Sequence, residues 1–144
     1  MTDAQTGSPP LRTALVRSTG RGLAFEGRGG QGPDVLIDGN SAEGPSPMEA
    51  LLLSLAGCMA IDIQVILEKG RVPLDSLEVR VTGERAPEAP KRYTRILMEV
   101  GVRGPGEGER AKVERAVQLS RDRYCSVFHT LRDDLEVEIR TSID

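Results

Sequence analysis

The sequence predicts an α+β domain in which short antiparallel strands accompany one long apolar helix. Three observations lead there. Runs of alternating apolar and charged residues recur between Gly- and Pro-containing turns, the period of strands with one solvated face. A single uninterrupted helical stretch, "PMEALLLSLAGCMAIDIQVILEK", stands between two groups of such runs. The resulting order, β-β-β-α-β-β-α-β with meandering strands and short turns, lacks the strict strand-helix alternation of a doubly wound sheet.

The elements follow along the chain. Residues 1–10 carry Ser, Gly and two prolines with little to bury and read as a loose tail, leaving residues 11–144 as one domain. "LRTALVRST" and "GLAFEG" form a hairpin through Gly20, and "DVLIDG" is a third short strand beyond a Gly-rich loop. The loop "NSAEGPSP" then enters the long helix. Ser46 is placed to cap it, Pro47 suits its first position, and Glu49 completes a capping box. Running to about Gly70, the helix is roughly 35 Å long at ~1.5 Å per residue. Pro73 prevents its resumption. In the strands "LDSLEVRVTGER" and "RYTRILMEVGVRG", Leu77, Val79 and Val81 share one face, as do Ile96, Met98 and Val100. "RAKVERAVQLSRDRY" places Val113, Ala116, Val117 and Ser120 at helical spacing opposite its charges, and "LEVEIRTSI" closes the chain as a strand.

Composition narrows the function classes. The chain has 144 residues, 28% of them charged, with a formal net charge of −3. It carries no basic block, so nucleic acid is not an expected partner. "MTDAQTGSPP" lacks the basic and apolar regions of a secretion signal. Ser54, Asp62 and Gln64 break the apolar run of the long helix, which argues against a membrane span. Two cysteines far apart in such a chain fit reduced thiols in a cytoplasmic setting. There is no C-x-x-C, and His129 is the only histidine, so a transition metal would need an unusual ligand set and no metal or cofactor is expected. Apolar residues cover nearly the whole circumference of the long helix. One sheet cannot bury all of it, so a second copy of the chain is the expected cover and the protein a homodimer.

The two thiols are the candidate chemistry. Cys58 sits mid-helix among Ala56, Gly57 and Ala60, small residues that leave room either for a ligand or for another helix. A buried, inert thiol is the simpler reading. Asp62, one turn on, would raise the pKa of a thiol it faced, so activation requires a cation from elsewhere. Glu49 lies about 13 Å along the same helix and on its opposite side, so it cannot reach Cys58 within that helix. Cys125 reads as a core residue at a helix end. His129, four residues later, reads as a surface or packing residue rather than a base. Arg17, Arg21 and Arg28 are ordinary solvated charges, any of which can supply the cation.

The stretches "GPSPMEALLLSLAGCMAIDIQVILEKGR", "VTGERAPEAPKRYTRI" and "AVQLSRDRYCSVFHTL" together resemble the OsmC-like family of osmotically inducible and organic hydroperoxide resistance proteins. The resemblance runs over residues 11–143, and it is to the branch with "SPMEALL…AGC" and "RYCSV". It implies an intertwined homodimer with antiparallel sheets wrapping long central helices. It also implies a peroxidase that reduces organic hydroperoxides to alcohols. In that chemistry Cys58 matches the peroxidatic cysteine, which becomes a sulfenic acid, and Cys125 matches the resolving cysteine, which forms a disulfide with it. An external dithiol then reduces the disulfide. Arg21, with Arg17 as the alternative, matches the family's arginine, and Glu49 its glutamate. Peroxidase branches often carry that glutamate directly after the proline, where this chain has Met48. The alternative is a non-enzymatic dimer that binds a hydrophobic small molecule, its cysteines being structural.

Overall fold

The computed structural model describes residues 7–144. Residues 1–6 of the expected tail lie outside the described residues, and 7–10 are exposed without regular structure. The elements are β1 (Leu15–Ser18), β2 (Ala24–Arg28), β3 (Val35–Asp38), α1 (Pro47–Lys69), β4 (Ser76–Arg85), β5 (Tyr93–Arg103), α2 (Arg110–Leu119), α3 (Ser126–Thr130) and β6 (Glu136–Ile143). A single 3-10 turn precedes α2, and a single π turn, Ser120–Tyr124, follows it. The chain divides between Ala50 and Leu51, in the first turn of α1, into two compact units.

The first unit is an antiparallel sheet in the order β1-β2-β3. Its hairpin turns where Gly20 takes φ +81°, a conformation open to glycine without steric cost. Behind β3, the buried Asp38 carboxylate accepts the N–H groups of Asn40 (2.9 Å), Ala42 (3.2 Å) and Glu43 (2.9 Å). These bonds favour the anion and hold its pKa below the ordinary carboxylate value, with Glu43 and Asn40 contributing most. They also fix the loop that delivers Ser46 to the start of α1. There the capping box closes in both directions: Glu49 N–H donates to Ser46 Oγ (3.2 Å), and Ser46 N–H donates to Glu49 Oε1 (2.9 Å).

The second unit is built on β4-β5-β6. β4 and β5 are antiparallel, with Val79 opposite Val100 and Val81 opposite Met98. β6 runs parallel to β5, Ile139 beside Met98. The expectation of wholly antiparallel, meandering sheets is therefore corrected here: the second sheet is mixed. A parallel neighbour cannot be joined by a tight turn, and the segment containing α2 and α3 supplies the crossover.

Leu55, Met59, Ile63 and Leu67 of α1 form a fully buried stripe at four-residue spacing. Ile63 and Leu67 pack with Val100, Val102, Val113, Ala116 and Val117. Leu55 and Met59 pack with Ile96, Met98 and Cys125. α1 is thus the core helix of this unit. Its length and composition nevertheless meet the requirement for crossing a membrane, which corrects the expectation that its polar residues interrupt it too often. On the side away from the buried stripe, Leu53 is 61%, Ile61 65% and Val65 41% exposed.

Candidate thiol site

The second unit brings both cysteines together. Cys58 lies mid-way along α1, half-buried at the edge of the cluster formed by Leu55, Met59 and Cys125. Cys125 has no exposed surface. It is the residue between the π turn and α3, with φ −73° and ψ 99°. Its N–H reaches back to the Ser120 carbonyl (2.8 Å), the wide bond that makes the turn π rather than α. Its sulfur accepts the Phe128 N–H (3.4 Å), capping α3. The extra residue per turn ends the predicted long amphipathic helix at Leu119 and rotates Cys125 into the core.

Asp62 joins them. The sulfurs of Cys58 and Cys125 and a carboxylate oxygen of Asp62 all lie within 4.8 Å of one another. The carboxylate is held by Ser120, whose hydroxyl donates to Asp62 Oδ2 (2.9 Å) and lies 3.1 Å from the Met59 sulfur. Ser120 is fully buried. Helical spacing predicted that burial but not its purpose, which is to orient Asp62. Burial pushes the Cys125 thiol up to about 12, aided by its hydrogen bond with Cys58 and by the nearby charges of Cys58 and Asp62. Cys125 therefore keeps its proton at neutral pH.

The other expected site residues are engaged within the first unit. Arg21 donates to Glu43 through Nη2 (2.9 Å) and Nε (3.4 Å), and Arg28 pairs with Asp34 at 2.8 Å. Arg17 lies opposite Glu26 in the β1–β2 ladder. Glu49, besides capping α1, accepts the Ser41 hydroxyl at 2.6 Å, and these bonds lower its pKa, the Ser41 bond most. His129 is exposed, and its ring Nε2 bonds the Arg121 carbonyl (2.9 Å), so it braces the π turn as a packing residue. Beside the thiols, Asp62, Val65, Ile66, Lys69, Leu119 and Tyr124 line an open cleft of about 490 Å³. No sequence pattern marks this cleft, because its walls come from α1, from the end of α2 and from the π turn.

Comparison with known proteins is consistent with this architecture. The model of the OsmC-like protein family matches residues 39–140. The chain belongs to the OsmC-like family. Protein YhfA of Escherichia coli K12 is 46% identical over 107 residues, spanning 74% of this chain and 79% of its own. A solved structure of a hypothetical protein from Aquifex aeolicus is similar with TM-score 0.83 at 23% identity, over 94% of this chain and 98% of that one. An organic hydroperoxide resistance protein OsmC from Legionella pneumophila shares the fold with TM-score 0.67 at 12% identity, over 94% and 99%. Within the OsmC-like fold, the matched region includes α1, both cysteines and Asp62, and it leaves the β1–β2 hairpin outside.

Proposed function

We propose that this OsmC-like protein is a cytoplasmic thiol peroxidase that reduces organic hydroperoxides to alcohols. The observation that carries the reading is the Cys58–Cys125 pair, a half-buried and a fully buried cysteine whose sulfurs lie within 4.8 Å. The Legionella protein of the same fold, described as an organic hydroperoxide resistance protein, supports the class of substrate.

In this reading the Cys58 thiolate attacks one oxygen of the peroxide and the O–O bond breaks. Cys58 is oxidised to a sulfenic acid, and the leaving alkoxide takes a proton to become the alcohol. The Cys125 thiol then displaces water from the sulfenic acid and forms the disulfide. An external dithiol returns two electrons and two protons. Forming the S–S bond of about 2 Å requires the side chains to rotate toward each other. The apolar walls contributed by Val65, Ile66 and Leu119 favour alkyl hydroperoxides over hydrogen peroxide, which has no apolar surface to bury.

Arg21 is the proposed source of the activating cation. Its pair with Glu43 is exposed and solvent-screened, so exchanging that partner is inexpensive. Glu49 is proposed as the acidic companion, acting together with its capping role. The working form is proposed to be a homodimer in which a second copy covers Leu53, Ile61 and Val65.

The two cysteines make the reading testable. Cys58→Ser should abolish turnover of cumene hydroperoxide, because a hydroxyl is a far weaker nucleophile at neutral pH. Cys125→Ser should consume about one peroxide per chain and then hold a dimedone-trappable sulfenic acid on Cys58. Absence of any peroxide-dependent label in either variant would instead support the second reading, a binding protein. The cleft beside the thiols is the feature that favours that alternative.

A further inference from the structure

Disulfide chemistry uses the two sulfurs and gives Asp62 no task. A carboxylate is an adverse neighbour for a thiolate, since like charges at short range destabilise each other. Yet Asp62 is deliberately held: Ser120, buried in the core, spends its hydroxyl on Oδ2. The three groups come from two elements. Cys58 and Asp62 stand one turn apart on the same face of α1, and Cys125 faces them from the start of α3.

The geometry points to a binding site for a borderline-soft divalent metal ion, zinc first among them, formed by Cys58, Asp62 and Cys125 in the reduced protein. Bonds of about 2.3 Å to sulfur and about 2.1 Å to oxygen put tetrahedral ligand atoms roughly 3.5–3.8 Å apart. Atoms already within 4.8 Å reach that spacing by an adjustment of about 1 Å in flexible side chains. Binding takes two thiol protons off and places one dication among three anionic ligands, offsetting the repulsion those ligands would otherwise have for one another.

The surroundings fit the same occupant. Ser120 holds the Asp62 carboxylate through Oδ2, the arrangement by which outer hydrogen bonds orient a ligand. Phe128 N–H donates to the Cys125 sulfur and favours its anion. Cys58 and Asp62 are half-buried while Cys125 is fully buried, so the ion enters from the α1 side, where a water completes the fourth position. Two thiolates select zinc or cadmium and discriminate against magnesium and calcium, which require oxygen shells. Occupancy and the Cys58–Cys125 disulfide exclude each other, because both consume the same sulfurs. The site requires only that both thiols be reduced, so it stands apart from the peroxidase reading.

Cobalt is the spectroscopic probe. The untagged, reduced full chain, titrated with Co²⁺, should take up one ion per chain with a thiolate-to-cobalt charge-transfer band and tetrahedral visible bands. Zn²⁺ should then displace the cobalt. Asp62→Asn should weaken the affinity about ten-fold or more while keeping the charge-transfer band. Cys58→Ser should diminish that band, and the protein oxidised to its disulfide should show none. Circular dichroism of each variant confirms that it is folded, and Cys58→Ser, at the accessible position, serves if Cys125→Ser does not fold. Absence of the band from the wild-type protein would overturn the site, as would equal uptake by wild type, Asp62→Asn and Cys58→Ser. Wild type that binds cobalt through thiolates yet consumes no cumene hydroperoxide would sink the peroxidase reading and support the metal site.

Discussion

Cys125 shows how a single side chain links packing to pH. Its thiol titrates at about 12 in the folded protein against an ordinary 9.0, chiefly because burial penalises the anion. Between those values the unfolded chain releases a proton that the folded chain keeps. The stabilisation is therefore complete below about pH 9 and is lost as pH rises toward about 12. Thermal melts of wild type and Cys125→Ala across that range should show the wild type losing stability more steeply; parallel curves would contradict the assignment. Arg21 makes a different prediction. If it is the cation that favours the Cys58 thiolate, Arg21→Ala should shift the pH profile of Cys58 alkylation upward and slow peroxide reduction without unfolding the protein. An unchanged profile in both Arg21→Ala and Arg17→Ala would place the cation elsewhere. Cys58 and Cys125 were legible as candidates, and Asp62 only as a residue that would raise the pKa of a thiol it faced. Ser120 was legible only as a buried position, because nothing in helical spacing says that a hydroxyl will meet a carboxylate from another helix.

At the scale of elements, α1 shows most clearly what local sequence can do. Ser46, Pro47 and Glu49 predict its start, and Gly70 its end, because caps and breakers act over a few residues of chain. The cap also separates two roles for Glu49. Ser46→Ala should cost about 1 kcal/mol in urea denaturation, and Glu49→Ala should lower the urea midpoint as well, since each removes half of the capping box. A fall in peroxide reduction confined to Glu49→Ala would support its place at the thiol site; equal activities would reduce it to a cap. The β4 and β5 alternation was equally legible: Ile96, Met98 and Val100 are buried, and Leu77, Val79 and Val81 are half-buried on one face. The π turn was not, since its i to i−5 bond depends on where Cys125 must point. The direction of β6 was also hidden, because its alternation reads the same parallel or antiparallel.

For the whole molecule, the exposed side of α1 is the feature that favours the proposed homodimer. Leu53, Ile61 and Val65 lie on a face that neither β4–β6 nor α2 covers within the second unit. Burying such side chains is worth about 1.5–3 kcal/mol each, an incentive for association that a polar face lacks. Sedimentation at micromolar concentration should show a homodimer, and Ile61→Glu should shift it toward monomer with its helical content retained. A folded 15.6 kDa monomer of the wild type would remove the dimer from the proposed function. It would leave the thiol cluster intact, since all three of its groups belong to one chain.

Residue order alone was enough to establish the α+β class, the position and ends of α1, the inward faces of β4, β5 and α2, and the two thiols as the candidate chemistry. Each of these depends on neighbours within a few residues, or on a period that the residue order displays directly. Tertiary structure alone decided that Cys58 and Cys125 meet, that Asp62 stands with them, that Ser120 holds it there, and that β6 lies parallel to β5. Those facts depend on residues distant in the chain whose approach is set by packing α1 against the second sheet and threading α2 and α3 back across it. No local periodicity encodes such an approach, and the chemistry of the site resides in it.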